Sequence, residues 1–405
     1  MRRIRPTTRG WVLGIGSLVW FVIALVNNRV MPCLFACGGL ALTGASFLTA
    51  VFSVRRITVT RGPVGEASTG ETVNLPLVVT NGLRRPRQTL VIREVCPFTL
   101  EGTHAVRVPS LGPREERIIG RHVLAMRRGE FLMNVLTVRG GDPAGLFRCD
   151  LRLSLPKRVL VLPGCEPLSN LRLRRRHAVV SPTGTPFSRV GTSQEFYGVR
   201  EYNRSDGLRH IHWKSSARFG QLMVREFERQ AVVSVALLVD TYEGDVSGDE
   251  HWSNLEYQVR AAASVSRHLA GLNCQLAFGA GGTPPILIPS RAAADTEWEV
   301  LYNLALLRPS GTRLDDVALR LGERLSPETL VYAFSLSTAD ATAKALNVLS
   351  ENGMAVRWYC AAADSFRRAD RRERPSRLRR REVHGLVEAV QRHPGMPIAR
   401  ALAHA

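Results

Sequence analysis

"VVSVALLVD", residues 232–240, is a β-branched and aliphatic run broken only by Ser234 and closed by an acid. A strand apolar on both faces must be covered on both sides, which is the condition of a buried strand in a parallel sheet. Downstream the pattern alternates. Residues 254–269 have helical periodicity, "CQLAFGA" (274–280) reads as a strand, 296–307 and 314–325 as helices, "TLVYAFS" (329–335) as a strand, 339–352 as a helix and "MAVRWYC" (354–360) as a strand. This alternation predicts an α/β domain over 231–405 built on a doubly wound parallel sheet. Ligands in such sheets sit beyond the carboxyl ends of the strands, so Asp240, Thr241 and Ser335 mark the place to inspect.

Upstream the texture changes. Between residues 56 and 163, short alternating runs such as "ITVT", "VNLPLVVTN", "QTLVIREV" and "FLMNVLTVRG" are separated by Gly, Pro and Asn. Regular short strands with turn signals predict an antiparallel β-sandwich-like module. Residues 164–230 then form a linker and motif region before the α/β domain.

Residues 1–55 read as a transmembrane hairpin. The stretch 11–26 carries no charge, and a second uncharged run covers 30–54. About 20 apolar residues span the hydrocarbon layer. Arg2, Arg3, Arg5 and Arg9 precede the first run and Arg55, Arg56 and Arg61 follow the second, whereas only Arg29 lies between them. Excess basic residues mark the cytoplasmic side, so both ends of the hairpin, and the main C-terminal region, are expected in the cytoplasm. A cleaved signal peptide is the competing reading, but no small-residue cleavage site follows Val26 and a second span comes at once.

The net charge is +20, with 55 basic residues of which three are lysine, so the arginine excess by itself names no partner. The seven cysteines lack C-x-x-C or zinc-finger spacing and read as reduced thiols. Residues 366–381 hold nine arginines against Asp370 and Glu373. A solvated loop is the preferred reading, and contact with anionic lipid the sharper one. Nucleic acid is disfavoured as a partner, because the segment has no aromatics to stack bases beyond Phe366. No phosphate-binding loop, H-E-x-x-H helix or G-x-S-x-G elbow occurs, which removes the common hydrolase and nucleotidase signatures.

"REYNRSDGLRHIHWKSSAR" (200–218) crowds reactive side chains together. Asp206 can cap a helix running from Gly207 to Arg218, on which Arg209 and Trp213, four apart, stack cation on ring. On that helix His210 and His212 point about 200° apart and cannot chelate one metal; if the segment is a strand instead they share a face, but a metal site still needs a third ligand that the sequence does not place. The following "GQLMVREFERQ" alternates as a strand at the edge of the α/β sheet. In this reading Arg209 and Trp213 stabilise the domain.

Glu195, Phe196, Gly198, Arg200, Tyr202, Asp206, Arg209, Trp213, Ser216 and Arg218, with Ile211, Ala217, Gly220, Leu222 and Val224, form a pattern that resembles the bacterial domain of unknown function family 58. The resemblance extends over nearly the whole chain, through Arg128-Gly129-Glu130-Phe131 and the turn Asp142-Pro143-x-Gly145-Leu146-Phe147. It implies two membrane helices, a β-rich segment and a von Willebrand factor type A-like domain. It also implies an accessory, non-enzymatic role beside a MoxR-type AAA ATPase.

Type A-like domains often hold a divalent cation through D-x-S-x-S, a later threonine and a further aspartate. Here Asp240 is kept, Tyr242 and Gly244 stand at the two serine positions, Thr312 offers the threonine and Ser335 stands where the last acid is expected. The resemblance therefore implies the fold without its metal or any other cofactor, Asp240 and Thr312 being remnants of the site. The alternatives are an enzyme with a hydrolytic site among Glu195, Asp206 and His212, or a membrane-proximal nucleic-acid binder.

Overall fold

The computed structural model describes residues 2–168, 171, 196–203, 211–227, 233–249, 252–367, 380–381, 389–391 and 397–403. Two long helices come first, α1 (Thr8–Val26) and α2 (Val30–Ser53), antiparallel and joined by a tight turn. Both are long and apolar enough to cross a membrane. Their apolar side chains, Trp20, Leu25, Leu34 and Phe35 among them, face outward rather than into a protein core.

A short strand before the hairpin, β1 (Arg2–Pro6), was not legible in its basic sequence. It pairs antiparallel with β11 (Phe147–Leu162), from Arg2 opposite Leu151 to Pro6 opposite Phe147. The hairpin is further clasped to the sandwich at its base: the Thr7 hydroxyl donates to the Gly145 carbonyl at 2.8 Å, and Phe47 meets Phe147 edge to face at 5.5 Å. Asp142 holds that turn by accepting from the amides of Leu146 and Phe147 at 3.2 and 2.6 Å.

In chain order the strands that follow are β2 (Ile57–Arg61), β3 (Ala67–Ser68), β4 (Thr72–Asn74), β5 (Leu77–Asn81), β6 (Leu90–Val95), β7 (Thr103–Val108), β8 (Glu116–Ile119), β9 (His122–Leu124), β10 (Gly129–Gly141) and β11 (Phe147–Leu162). One sheet has the order β1-β11-β10-β6-β7 and a second the order β2-β5-β8. Alternation along the strands puts Val59, Leu77 and Val79 of the second sheet against Ile92, Leu136 and Val138 of the first. Between the layers lies a buried ion cluster in which Glu94 pairs with Arg61 and, at 2.6 Å, with Arg121. The Nε atoms of Arg61 and Arg121 donate to the carbonyls of Leu155 and Leu75, whereas Arg121 Nη1 is buried without a hydrogen-bond partner among the described residues.

The motif region supplies β12 (Phe196–Glu201), α3 (Trp213–Phe219) and β13 (Met223–Phe227). Among the described residues these two strands pair antiparallel with each other in a sheet of their own, joined at Val224 by a bridge to Ile211. The expectation that β13 lies at the edge of the α/β sheet is therefore corrected.

The last domain contains β14 (Val233–Val239), a small hairpin of β15 (Gly248–Asp249) and β16 (Trp252–Ser253), α4 (Asn254–Ala270), β17 (Cys274–Ala280), β18 (Ile286–Ala292), α5 (Ala293–Leu306), α6 (Leu314–Gly322), β19 (Leu330–Ser335), α7 (Asp340–Glu351), β20 (Ala355–Cys360), α8 (Ala363–Arg367), β21 (Arg380–Arg381), β22 (Ala389–Gln391) and α9 (Ile398–Ala403). The large sheet has the order β18-β17-β14-β19-β20-β22-β21. Helices cover both faces: Val235, Leu237 and Val239 pack with α4 and α5, whereas Ala236 and Leu238 pack with α6 and α7. That two-sided burial is why the opening run is apolar at nearly every position.

The sheet is only partly parallel, which corrects the doubly wound parallel expectation. Strands β17, β14, β19, β20 and β22 run parallel, but β18 and β21 are antiparallel to their neighbours. A parallel return needs a crossover of about a dozen residues or more. The link from Ala280 to Ile286 is too short for one, so β18 folds back as a hairpin on β17. Most of the arginine-rich segment lies outside the described residues; of it, Phe366 is buried against Tyr257.

The sandwich and the α/β domain are joined by Arg128. Its Nε and Nη2 donate to the carbonyls of Leu304 and Leu307 at 2.9 and 2.7 Å, and its Nη1 pairs with Glu256. A guanidinium from one module thus closes the C-terminal end of α5 in the other, where cations are favoured by the helix dipole. Burial pushes the Arg128 guanidinium down to about 10, so it stays charged at neutral pH.

Candidate functional site

Two places fit the expectation of a site: the carboxyl ends of the central strands, and the motif region. At the first, the strand order around β14 reverses, with β17 on one side and β19 on the other, the position at which open α/β sheets bind their ligands. Asp240 follows β14 and is 3% exposed. One carboxylate oxygen accepts from the Tyr242 amide and the other from the Leu336 amide, both at 3.0 Å. Burial pushes the Asp240 carboxyl up to about 6, beyond what those amides and the Thr241 amide pull back, with Asp245 adding to the rise.

The hydroxyls nearby are turned on one another or on the backbone. Thr241 and Ser310 share a hydrogen bond at 2.8 Å, and the Thr312 hydroxyl donates to the Gly282 carbonyl at 2.8 Å. The Ser337 hydroxyl donates to Asp245 at 2.6 Å, and the Ser335 hydroxyl donates to the Ser337 carbonyl while accepting from Trp358 Nε1. Behind them, buried Asn254 and Gln258 on α4 donate to the carbonyls of Ala361, Ser335 and Tyr359, tying α4 to the strand ends.

The structure thus links Asp240, Thr241, Ser310 and Thr312 through one loop cluster. Ser310, Asp245, Asn254 and Gln258 were missed by sequence reasoning. The signal for the last two was their four-residue spacing on an otherwise apolar helix face. This donor set does not fit a divalent cation. Both oxygens of Asp240 already accept from amides, Gly244 has no side-chain oxygen, Ser335 stands where an acid would, and a hard ion needs about six oxygen ligands. No group of three or more His, Cys, Asp or Glu side chains with metal-binding geometry occurs among the described residues.

In the motif region, Glu195, Asp206 and Arg209 lie outside the described residues. Phe196, Gly198 and Arg200 are on β12, and the Tyr202 amide donates to the Leu222 carbonyl at 2.8 Å. The helix starts at Trp213, not at Gly207. His212 is its cap, its Nδ1 accepting from the Ser215 amide at 3.2 Å and contacting the Ser215 hydroxyl at 2.7 Å. The expected Asp206 cap lies outside the described residues. Ile211 bridges Val224 and the His212 amide donates to the Met223 carbonyl, which holds residues 211–212 extended. His210 lies outside the described residues, and so does the expected separation of the two histidines.

Ser216 is buried and knots helix to strand, accepting from the Met223 amide at 2.9 Å and donating to the His212 carbonyl at 3.1 Å. Gly220 ends the helix with φ +70°, a left-handed position that explains the glycine of the pattern. Arg218 sits exposed in the last turn. Trp213 is 68% exposed, with Phe219 and Leu222 also open to solvent; its expected stacking partner Arg209 lies outside the described residues.

Residues 198–352 match the family model described as "Protein of unknown function DUF58". The match begins inside the motif and runs through α7, so the resemblance read from the motif is to this family. It covers the motif and most of the α/β domain rather than nearly the whole chain. An uncharacterized protein of Bacillus subtilis (strain 168), YeaD, is 25% identical over 181 residues, covering 44% of this chain and 45% of that one. The chain therefore spans under half the length of that relative. Among solved structures, a CARDB domain from Pyrococcus furiosus is 18% identical over 26% of this chain and 87% of its own, at a TM-score of 0.19. A putative late embryogenesis abundant protein is 10% identical over 38% of this chain and 92% of its own, at 0.20. At such scores these likenesses carry no weight for the fold.

Proposed function

We propose that this chain is a membrane-anchored, non-enzymatic accessory protein that docks a protein partner of the MoxR-type AAA ATPase class through its motif region. In this reading α1 and α2 cross the bilayer, and both ends of the chain are cytoplasmic. The α/β domain is a von Willebrand factor type A-like domain that has lost cation binding, with Tyr242 and Gly244 where the ligating serines would stand.

The observation that carries the reading is the pairing of order with exposure in the motif. The backbone around α3 is pinned by the Ile211–Val224 bridge and by Ser216, yet Trp213, Phe219 and Leu222 remain exposed within ten residues of sequence. Large aromatics held open on a fixed scaffold are the usual anchors of protein interfaces. The hydrolytic alternative draws no support from His212, whose Nδ1 is engaged in capping α3.

The test is co-purification of the full chain from detergent after crosslinking, with and without ATP. An AAA ATPase should be recovered in a nucleotide-dependent way and lost from the Trp213→Ala/Phe219→Ala variant, whose melting should be unchanged. Recovery of no such ATPase, or equal recovery by both proteins, would count against the proposal.

A further inference from the structure

A cavity of about 880 Å³ opens where the C-terminal end of α2 meets the sandwich. Its wall carries Arg55, Arg56, Arg84, Arg85, Arg87 and Arg114 and no carboxylate. Arg87 is held by the backbone: its guanidinium donates to the carbonyls of Phe52 and Arg55, closing the end of the second apolar helix. Arg55 lies over the Phe52 ring at 5.4 Å. None of Arg55, Arg56, Arg84, Arg85 and Arg114 is paired with an acidic side chain among the described residues.

The fold spends strain on this arrangement. Four non-glycine positions have positive φ among the described residues, and two of them, Arg56 at 57° and Arg114 at 54°, line this cavity. A left-handed backbone is disfavoured at any non-glycine residue. Glycine would be cheaper at Arg114, which follows Pro113 in a turn closed by the Glu115 amide on the Gly112 carbonyl. The loop bearing Arg84 and Arg85 is also fixed, because buried Asn81 donates to the carbonyls of Arg85 and Gly112 at 2.9 and 2.8 Å. Gly82 permits the loop to close, its amide donating to the Arg56 carbonyl at 2.9 Å where a Cβ would meet that oxygen.

The rest of the wall is apolar. Leu48 and Phe52, on α2, are about half exposed and continue from the cavity along the outward face of the hairpin. We propose that this cavity seats an anionic glycerophospholipid, with its phosphate among Arg56, Arg84, Arg85 and Arg114 and an acyl chain along Leu48 and Phe52. A zwitterionic headgroup is disfavoured because no carboxylate faces its amine. The inference rests on the reading that α1 and α2 span the membrane, and it is separate from partner docking at α3.

The full chain, purified in nonionic detergent, is titrated with dioctanoyl phosphatidylglycerol, dioctanoyl phosphatidylcholine, glycerol phosphate and inorganic phosphate, with binding read by native mass spectrometry and thermal shift. Saturable binding of phosphatidylglycerol alone is expected. Each basic group near an anionic surface contributes about fivefold in affinity, so Arg84→Gln/Arg85→Gln/Arg114→Gln should weaken it about a hundredfold. Loss of the same size in Arg308→Gln/Arg320→Gln/Arg324→Gln, equal binding of the two lipids, or inorganic phosphate binding as tightly as phosphatidylglycerol would each overturn the proposal. If the triple variant does not fold, Arg84→Glu alone must weaken binding. Resistance of both proteins to alkaline extraction from membranes separates failure of lipid selectivity from failure of the anchor itself.

Discussion

Replacing Arg128 with methionine should be the most costly single change at the junction between the sandwich and the α/β domain. The side chain is 6% exposed and serves three acceptors: two carbonyls at the end of α5 and the Glu256 carboxylate in the first turn of α4. Each hydrogen bond from a charged donor is worth about 1.5–3 kcal/mol, and breaking a buried ion pair costs about 3–5 kcal/mol. Glu256 is 25% exposed and can rehydrate, and methionine keeps much of the packing, so the expected loss lies near the lower bound, about 3 kcal/mol. Arg128→Lys retains the charge but cannot span three acceptors, and should lose about half as much. The assay is denaturant unfolding of the detergent-solubilised full chain followed by tryptophan fluorescence, with limited proteolysis reporting cleavage between the two modules. A double-mutant cycle with Glu256→Gln should give a coupling of about 1–2 kcal/mol. A loss under about 1 kcal/mol for Arg128→Met, or no coupling to Glu256, would refute the reasoning.

Asp240 has a folded-state carboxyl near 6 against 3.8 for the free group, so the folded state binds more protons between those values and its stability falls as pH rises through that window. Relative to Asp240→Asn, the unfolding free energy of the wild type should fall by about 2 kcal/mol from pH 4 to pH 7, and a pH-independent difference would contradict the assignment. Gly220→Ala should cost about 1 kcal/mol through backbone strain alone, since open space surrounds the added Cβ. Unchanged melting in that variant would show that α3 does not end in a left-handed cap.

Much of the fold could be read from hydrophobic periodicity. The apolar runs of the hairpin and the central strands of the α/β domain announce themselves because whole faces are buried, and α4 and α7 differ from their sequence bounds by about one residue. The motif was recognisable as a pattern but not as a geometry. Its helix start, the pairing of β13 with β12 and the exposure of Trp213 depend on contacts that local preference does not encode. The strand Arg2–Pro6 was invisible because three arginines and a proline have no strand signature; it exists because β11 offers an edge.

Sequence by itself determined the order of modules, the two apolar spans, the family pattern and the residues at the central strand ends. Those depend on composition and period, which are local. Tertiary structure decided what the arginines do. Composition shows only an excess of positive charge, whereas the fold turns Arg87 and Arg128 onto helix ends, buries Arg61 and Arg121 around Glu94, and leaves a ring of others facing a cavity at the base of the hairpin. A guanidinium's role is set by which acceptors the folded chain brings within about 3 Å, and that distance is fixed only when segments far apart in sequence pack together.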